Sequence, residues 1–151
     1  MTARKLFPQI SLAFFDWLDA QLILENRKTC IEIAQRSFDH RAKLSAMVDA
    51  VEFLESRGFQ EVRVQLETDP IGLLSTMRYI GPITAWHLAK NLGCDVAKPD
   101  RHLVRIAEHF GYDCVHALCR ELSEDFDERI AVVDLILWRF SATGTKLLEP
   151  C

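Results

Sequence analysis

One short segment, Lys98-Pro99-Asp100-Arg101-His102, places a carboxylate between two basic residues at the start of a predicted helix. The positive end of a helix dipole and nearby cations both favour the ionised form of an aspartate. An ionised carboxylate in such a place can stabilise a developing positive charge or orient a water molecule. Asp100 also suits the structural role of an N-cap, because Pro-Asp before an apolar stripe is an ordinary helix start. The two roles are compatible, and the residue types leave both open.

A second feature, Ile80-Gly81-Pro82-Ile83-Thr84, lies upstream between two predicted helices. The second of these helices begins with unpaired N–H groups and the positive end of its dipole, which together suit a phosphate. Gly81 has no Cβ to hinder a close approach, and Pro82 is well placed in a first helical turn. The Thr84 hydroxyl could add a contact. Such a turn binds nucleic acid without reading its sequence, although a Gly-Pro between two helices is more often only a turn.

Together the two features resemble the helix-hairpin-helix DNA glycosylase superfamily. Its hairpins have the form Leu-Pro-Gly-apolar-Gly-x-x-Thr-Ala, and further along the chain its members carry a segment like Val-Asp-Thr-His-apolar-x-Arg. Here Ile80-Gly81-Pro82-Ile83-Thr84-Ala85 fits the second half of the hairpin. The aspartate segment is matched by Asp100, His102, Leu103 and Arg105. The match covers Thr76 to Gly111, and outside it only the helical character agrees.

The resemblance implies a single helical domain over residues 1–151, with the hairpin at about 70–93 and the aspartate segment at 98–111. It implies a monofunctional DNA glycosylase that removes a damaged or modified base flipped out of DNA, in base-excision repair or in defence against phage. Asp100 would be the catalytic carboxylate, beside an oxocarbenium-like sugar. The DNA contacts expected from the resemblance are Arg78, Tyr79, Ile80, Gly81, Pro82, Ile83, Thr84, Lys98, Arg101 and His102.

The sequence also departs from the family pattern. Tyr79 stands where the family has its first hairpin glycine and Arg78 where it has proline, so either the turn differs in shape or Arg78 itself reaches a phosphate. Ile83 occupies the place of the lysine of bifunctional members, and it cannot form a Schiff base. Water is therefore the expected nucleophile, without lyase activity by that route.

We expect no cofactor. The four-cysteine spacing of the family's iron–sulfur loop is absent from the sequence, and a monovalent cation held by hairpin carbonyls is left open. The chain is shorter than most family enzymes, so the alternative function is a non-catalytic helix-hairpin-helix DNA-binding module within a larger complex. An unrelated helical interaction domain with a fortuitous match is the third hypothesis.

Asp134 lies in an otherwise apolar segment, and burying a carboxylate without a partner is costly. We expect it to form a salt bridge or to cap another helix. The alternative is a pocket wall that hydrogen-bonds a flipped base, with Trp138 available to stack on that base.

The sequence predicts helices for the elements that must position these residues. The predicted fold class is all-α, a compact multi-helix domain with a helix-hairpin-helix DNA-binding motif. Residues 10–24 predict one buried helix with a break near Asn26, and Asp39 predicts the cap of a helix that runs to about Arg57. Val62, Val64 and Leu66 alternate, but a lone strand has no partner, so residues 60–66 predict an extended connector or a distorted helix.

Further helices are predicted from Pro70, from the Gly81-Pro82 turn to Gly93, from Pro99 to Gly111, and over 115–122. A last helix, from Ser123 or Asp125 to Thr143 with Gly144 as its cap, is apolar nearly all round and should be central. The total is roughly seven to nine helices.

The net charge of −4 argues against a nucleic-acid partner, but its distribution does not. Residues 76–105 hold five basic and two acidic residues, so this segment carries +3 and the rest of the chain −7. A local basic face on an acidic protein can still hold phosphates.

Five cysteines without a CxxC pair predict scattered reduced thiols and no zinc site. No apolar run reaches the roughly 20 residues that span a bilayer, and the N-terminus lacks the apolar region of a signal peptide. We therefore expect a cytoplasmic, nucleoid-associated monomer that contacts DNA and no membrane.

Overall fold

The computed structural model describes residues 3–143, and all of the regular structure in that range is helical. The α-helices are α1 (Ala3–Ala13), α2 (Ala20–Glu25), α3 (Arg27–Gln35), α4 (Arg41–Arg57), α5 (Phe59–Thr68), α6 (Pro70–Ser75), α7 (Pro82–Asn91), α8 (Arg101–His109), α9 (Val115–Phe126) and α10 (Ile130–Ala142), with a short 3₁₀ helix at Phe15–Trp17. The all-α class is confirmed. The ten α-helices of this range exceed the number predicted, because the helix predicted over residues 10–24 is divided and residues 60–66 lie in a helix of their own.

Residue contacts divide the chain into two units. Unit 1 comprises the residues up to Gln65 together with Met77–Tyr79, and unit 2 comprises Leu66–Thr76 and the residues from Ile80 onwards. Within residues 3–143, none of the helices combines the length and the apolar character needed to cross a membrane.

The core of unit 1 is built by α1 to α4. Phe14, Ile23, Leu44 and Val48 are almost completely buried there, and Leu44 and Val48 lie one turn apart on α4. The helix predicted over residues 10–24 is wrong as a single element. The structure ends α1 at Ala13 and resumes at Ala20, because the intervening 3₁₀ turn takes left-handed backbone angles that no α-helix can continue.

Two further predictions in unit 1 need correction. The N-cap of α4 is His40 and not Asp39, since the His40 ring nitrogen accepts from the Lys43 N–H at 3.4 Å. The segment predicted as a connector or distorted helix is the regular helix α5, in which Val62 is buried. A helix satisfies its backbone groups internally, so the segment needs no strand partner.

Unit 2 has its own core, formed where α8, α9 and α10 pack together. Leu103, Ile106 and Ala107 of α8 follow helical spacing and face Leu118 and Val133 in this core. The chain segment after residue 114 is divided differently from the prediction. The helix α9 continues to Phe126, Asp127 ends it with a left-handed backbone (φ 51°), and α10 begins only at Ile130.

The prediction that the last helix is central is wrong. Only Val133 and Asp134 of α10 are buried, whereas the side chains of Leu135 and Ile136 are 57% and 59% exposed. The helices α8 and α9 pack against α10. The predicted cap Gly144 lies outside the described residues.

Candidate nucleic-acid interface and aspartate segment

The hairpin consists of α6, a turn and α7, and its two helices pack closely. Asp69 caps α6 by accepting from the Gly72 N–H at 2.9 Å. The helix α7 begins at Pro82 with Gly81 as its N-cap, and no side chain caps it. Its first backbone bond runs from the Ala85 N–H to the Gly81 carbonyl at 2.9 Å. Within residues 3–143 the helix α7 therefore presents an uncapped N-terminus, and Gly81 to Thr84 are exposed.

Tyr79 and Gly81 lie at the two positions where the hairpin motif has glycine, and their backbone angles are the reverse of what their residue types indicate. Tyr79, which stands at the family's glycine position, has a φ of 64°, in the left-handed region that glycine favours. Gly81 has an ordinary φ of −79°, and a Cβ added there would meet nothing within 4 Å. The fold therefore imposes a glycine-like backbone on Tyr79 and places no such demand on Gly81.

Arg78 and Tyr79, in the turn between α6 and α7, belong to unit 1 and contact other residues of that unit. The Arg78 guanidinium pairs with Asp49 at 2.6 Å, and Asp49 also pairs with Arg27. The Tyr79 ring meets the His40 ring edge-on, with 5.8 Å between the ring centroids. Arg78, a predicted DNA contact, is thus already engaged with a carboxylate. Neither Asp49 nor His40 carried a sequence signal for this role.

Asp100 is the N-cap of α8. Its Oδ1 accepts from the backbone N–H groups of His102 at 2.9 Å and Leu103 at 3.3 Å, and its Oδ2 lies 3.5 Å from the Lys98 ammonium. The Asp100 side chain is 14% exposed. The structural role predicted for this residue is confirmed. One carboxylate oxygen is used by the helix cap, and the other faces a cation.

The remaining predicted residues of the aspartate segment differ in their surroundings. The His102 ring lies 3.0 Å from the Ser141 hydroxyl of α10, so this side chain is used inside unit 2. Arg101 and Arg105 are exposed and form no ion pair within residues 3–143. Among the five basic residues of 76–105, Arg101 and Arg105 are the two without an ion pair in the described residues, since Arg78, Lys90 and Lys98 all have carboxylate partners.

The salt bridge predicted for Asp134 is confirmed. One carboxylate oxygen pairs with the Lys90 ammonium of α7, and the other accepts from the Lys98 backbone N–H at 2.5 Å. The residue is 2% exposed. Burial and the Asp134 charge together raise the pKa of the neighbouring Cys119 thiol to about 12. Asp134 therefore links the hairpin helix to the segment that carries Asp100.

A second, more exposed link lies nearby in unit 2. The Asp95 carboxylate accepts from the Ala131 N–H at 2.9 Å, and Arg129 donates to the Gly93 carbonyl at 3.0 Å. The loop after α7 is thereby tied to the start of α10. Trp138, the proposed stacking residue, lies one turn beyond Asp134 and is 38% exposed.

The role of Lys90 as the partner of Asp134 was not predicted, because Lys90 was counted among the cations of a basic face. The available signal was the lone carboxylate at position 134, which required a partner, and Lys90 follows the buried residue Ala89 on the amphipathic helix α7. The described residues contain no cluster of His, Cys, Asp or Glu side chains that could hold a metal ion.

Comparison of the chain with family models, with curated proteins and with solved structures finds no match. The relationship to helix-hairpin-helix glycosylases therefore stays a prediction from the residues of the two motifs.

Proposed function

We propose that this chain is a monofunctional DNA glycosylase that grips DNA through its hairpin and uses Asp100 at the sugar of a flipped base. The observation that carries the proposal is the link made by Asp134, which joins Lys90 of the hairpin helix to the Lys98 backbone, two residues before Asp100. A glycosylase needs its phosphate grip and its carboxylate in a fixed relation, because misplacement by about 1 Å is costly to catalysis.

The phosphate grip is assigned to the first turn of α7. The Ile83 and Thr84 N–H groups belong to an uncapped, exposed N-terminus, and Gly81 leaves the approach open. Such a terminus suits an anion through its N–H groups and its dipole. Arg101 adds an exposed positive charge in the same unit.

The chemistry is assigned to the Asp100 carboxylate. Its Oδ1 accepts from two backbone N–H groups, which fix the orientation of the carboxylate. Its Oδ2 is outside the cap, and it would stabilise the positive charge that develops at the sugar and orient the attacking water. Engagement of Lys98 by a DNA phosphate would release this oxygen from its ion pair.

The test is release of free base from duplex DNA. Wild-type protein and Asp100→Asn are incubated with duplexes that carry alkylated, oxidised, deaminated or phage-type modified bases, and mass spectrometry detects the free base. Asparagine caps helices as well as aspartate does, so the variant keeps its fold. We expect base release to fall by at least about 10²-fold.

The matched control is Asp19→Asn, which alters another N-cap aspartate, since Asp19 accepts from the Leu22 N–H at 2.8 Å. Base release by this variant should equal that of wild type. Equal base release by Asp100→Asn and wild type would contradict the catalytic assignment.

The second candidate is a DNA-binding module without catalysis. It is favoured by the saturation of Asp100, whose two oxygens both have partners and whose side chain is mostly buried. Duplex binding by the wild type, with no base released from any substrate, would establish this function in place of the first. Absence of duplex binding at low salt would refute both.

A further inference from the structure

Unit 1 contains a cavity that no residue of the proposed DNA site lines. Its volume is about 400 Å³, within the range of small-molecule sites. The walls are mainly apolar and come from the 3₁₀ turn and the helices α2, α4 and α5, with Trp17, Ile23, Leu54 and Phe59 among them. This composition suits a ligand with an apolar body.

The wall formed by Trp17 carries two unusual features. Phe15, Asp16 and Trp17 are three consecutive residues with left-handed backbone angles (φ 51°, 51° and 62°). The Trp17 ring is stacked on Phe14 with 4.6 Å between the centroids, and its buried indole N–H has no hydrogen-bond partner within residues 3–143. Strained backbone is costly, and strain of this kind clusters at ligand clamps.

The charge at the cavity has a single sign. Glu55 is the charged residue of the lining, it is exposed, and it forms no ion pair within residues 3–143. Asp16 and Asp19 lie in the chain on either side of Trp17. The lining contains no basic residue, and the rings of Trp17 and Phe59 offer faces that attract cations.

We propose that this cavity binds a small organic cation, an apolar or aromatic body that carries an ammonium group. The body would fill the space between Trp17 and Phe59, and the ammonium group would pair with Glu55. The proposal is independent of the proposed function, because its test contains no DNA and the cavity shares no residue with the hairpin or the aspartate segment.

The test uses three probes with similar bodies and different charge: phenethylammonium, 2-phenylethanol and 3-phenylpropionate. Binding is measured by titration calorimetry and by the shift of the Trp17 indole N–H resonance in ¹⁵N-labelled protein, assigned with Trp17→Phe. We expect the cation to bind roughly fivefold more tightly than the alcohol, the size of a solvent-accessible ion pair. The carboxylate probe should bind more weakly than both.

Two variants and one matched control identify the site. Glu55→Gln should abolish the preference for the cation over the alcohol, while Glu124→Gln, the same charge change on an exposed position of unit 2, should keep it. Ala20→Phe, which places a ring in the lining, should abolish binding of all three probes.

Circular dichroism establishes that each variant is folded. The proposal is overturned if phenethylammonium does not shift the Trp17 resonance, if the three probes bind equally, or if the cation preference survives Glu55→Gln.

Discussion

The link at Asp134 makes the sharpest prediction about stability. In Asp134→Asn the Lys90 ammonium loses its partner, and the side chains of Asp134 and Lys90 are only 3% and 19% exposed. Removing one member of a buried pair costs about 3–5 kcal/mol. Asparagine keeps an acceptor for the Lys98 N–H, so we expect the lower end, about 3 kcal/mol. For a chain of this size the melting temperature should fall by roughly 6–12 °C.

The assay is urea unfolding followed by far-ultraviolet circular dichroism, in a double-mutant cycle with Lys90→Met. Methionine has a similar length without the charge, so this variant leaves the Asp134 carboxylate buried and unpaired, which is also destabilising. The double variant should be more stable than the sum of the single effects indicates, with a coupling energy of about 1–3 kcal/mol.

The matched control is Asp95→Asn, which removes a carboxylate that also ties the loop after α7 to α10. The Asp95 side chain is 43% exposed, so its loss should cost no more than about 1 kcal/mol. The coupling by Asp134 is refuted if Asp134→Asn costs as little as this control, or if the effects of Asp134→Asn and Lys90→Met are additive. Either result would mean that Asp134 does not couple the hairpin helix to the aspartate segment.

Three further predictions concern residues of unit 2. In Gly81→Ser the new hydroxyl caps α7, so the protein gains a few tenths of a kcal/mol in thermal melts while duplex affinity in fluorescence anisotropy falls roughly tenfold; affinity that rises with stability would exclude a phosphate at this terminus. Arg101→Gln should weaken duplex binding and lower the salt slope by about one, whereas Arg120→Gln, an exposed arginine of α9, should change neither. Burial, aided by the Arg120 charge, lowers the pKa of His116 below its usual 6.5. Folding therefore favours the neutral ring. The contribution of His116 to the free energy of unfolding is complete above pH 6.5 and is lost as the pH falls through the lowered pKa. Melts of wild type and His116→Phe between pH 7.5 and 5 should show a smaller loss in the variant, and identical losses would contradict the assignment.

The predictions that succeeded depend on local signals. The start of α7 at Pro82 and the cap of α8 by Asp100 both follow from residues within one helical turn of the boundary. The all-α class follows from the same kind of signal repeated along the chain. Such features need no knowledge of which helices are neighbours in the fold.

The predictions that failed depend on the tertiary arrangement. The apolar character of α10 indicated a central helix, but the sequence does not specify how many helices cover it, and in the structure Leu135 and Ile136 are exposed. The five basic residues of the hairpin region indicated a basic face, yet Arg78 is paired with Asp49, which lies 29 residues earlier in the chain. A lone carboxylate such as Asp134 indicates that a partner exists, but no local pattern identifies which distant residue it is.

The turn before α7 contains a strained tyrosine and an unstrained glycine. A tyrosine with left-handed backbone angles is costly, by roughly 1–2 kcal/mol, so other interactions must hold Tyr79 in place. Its ring contact with His40 and the Arg78–Asp49 pair on the adjacent residue supply such interactions. Gly81 is the reverse case, because its backbone angles suit any residue and a side chain would meet open space. Neither backbone strain nor packing explains a glycine there. Under the proposed function, access to the N–H groups of α7 explains it, and for this reason Gly81 is the position at which stability and DNA affinity should separate.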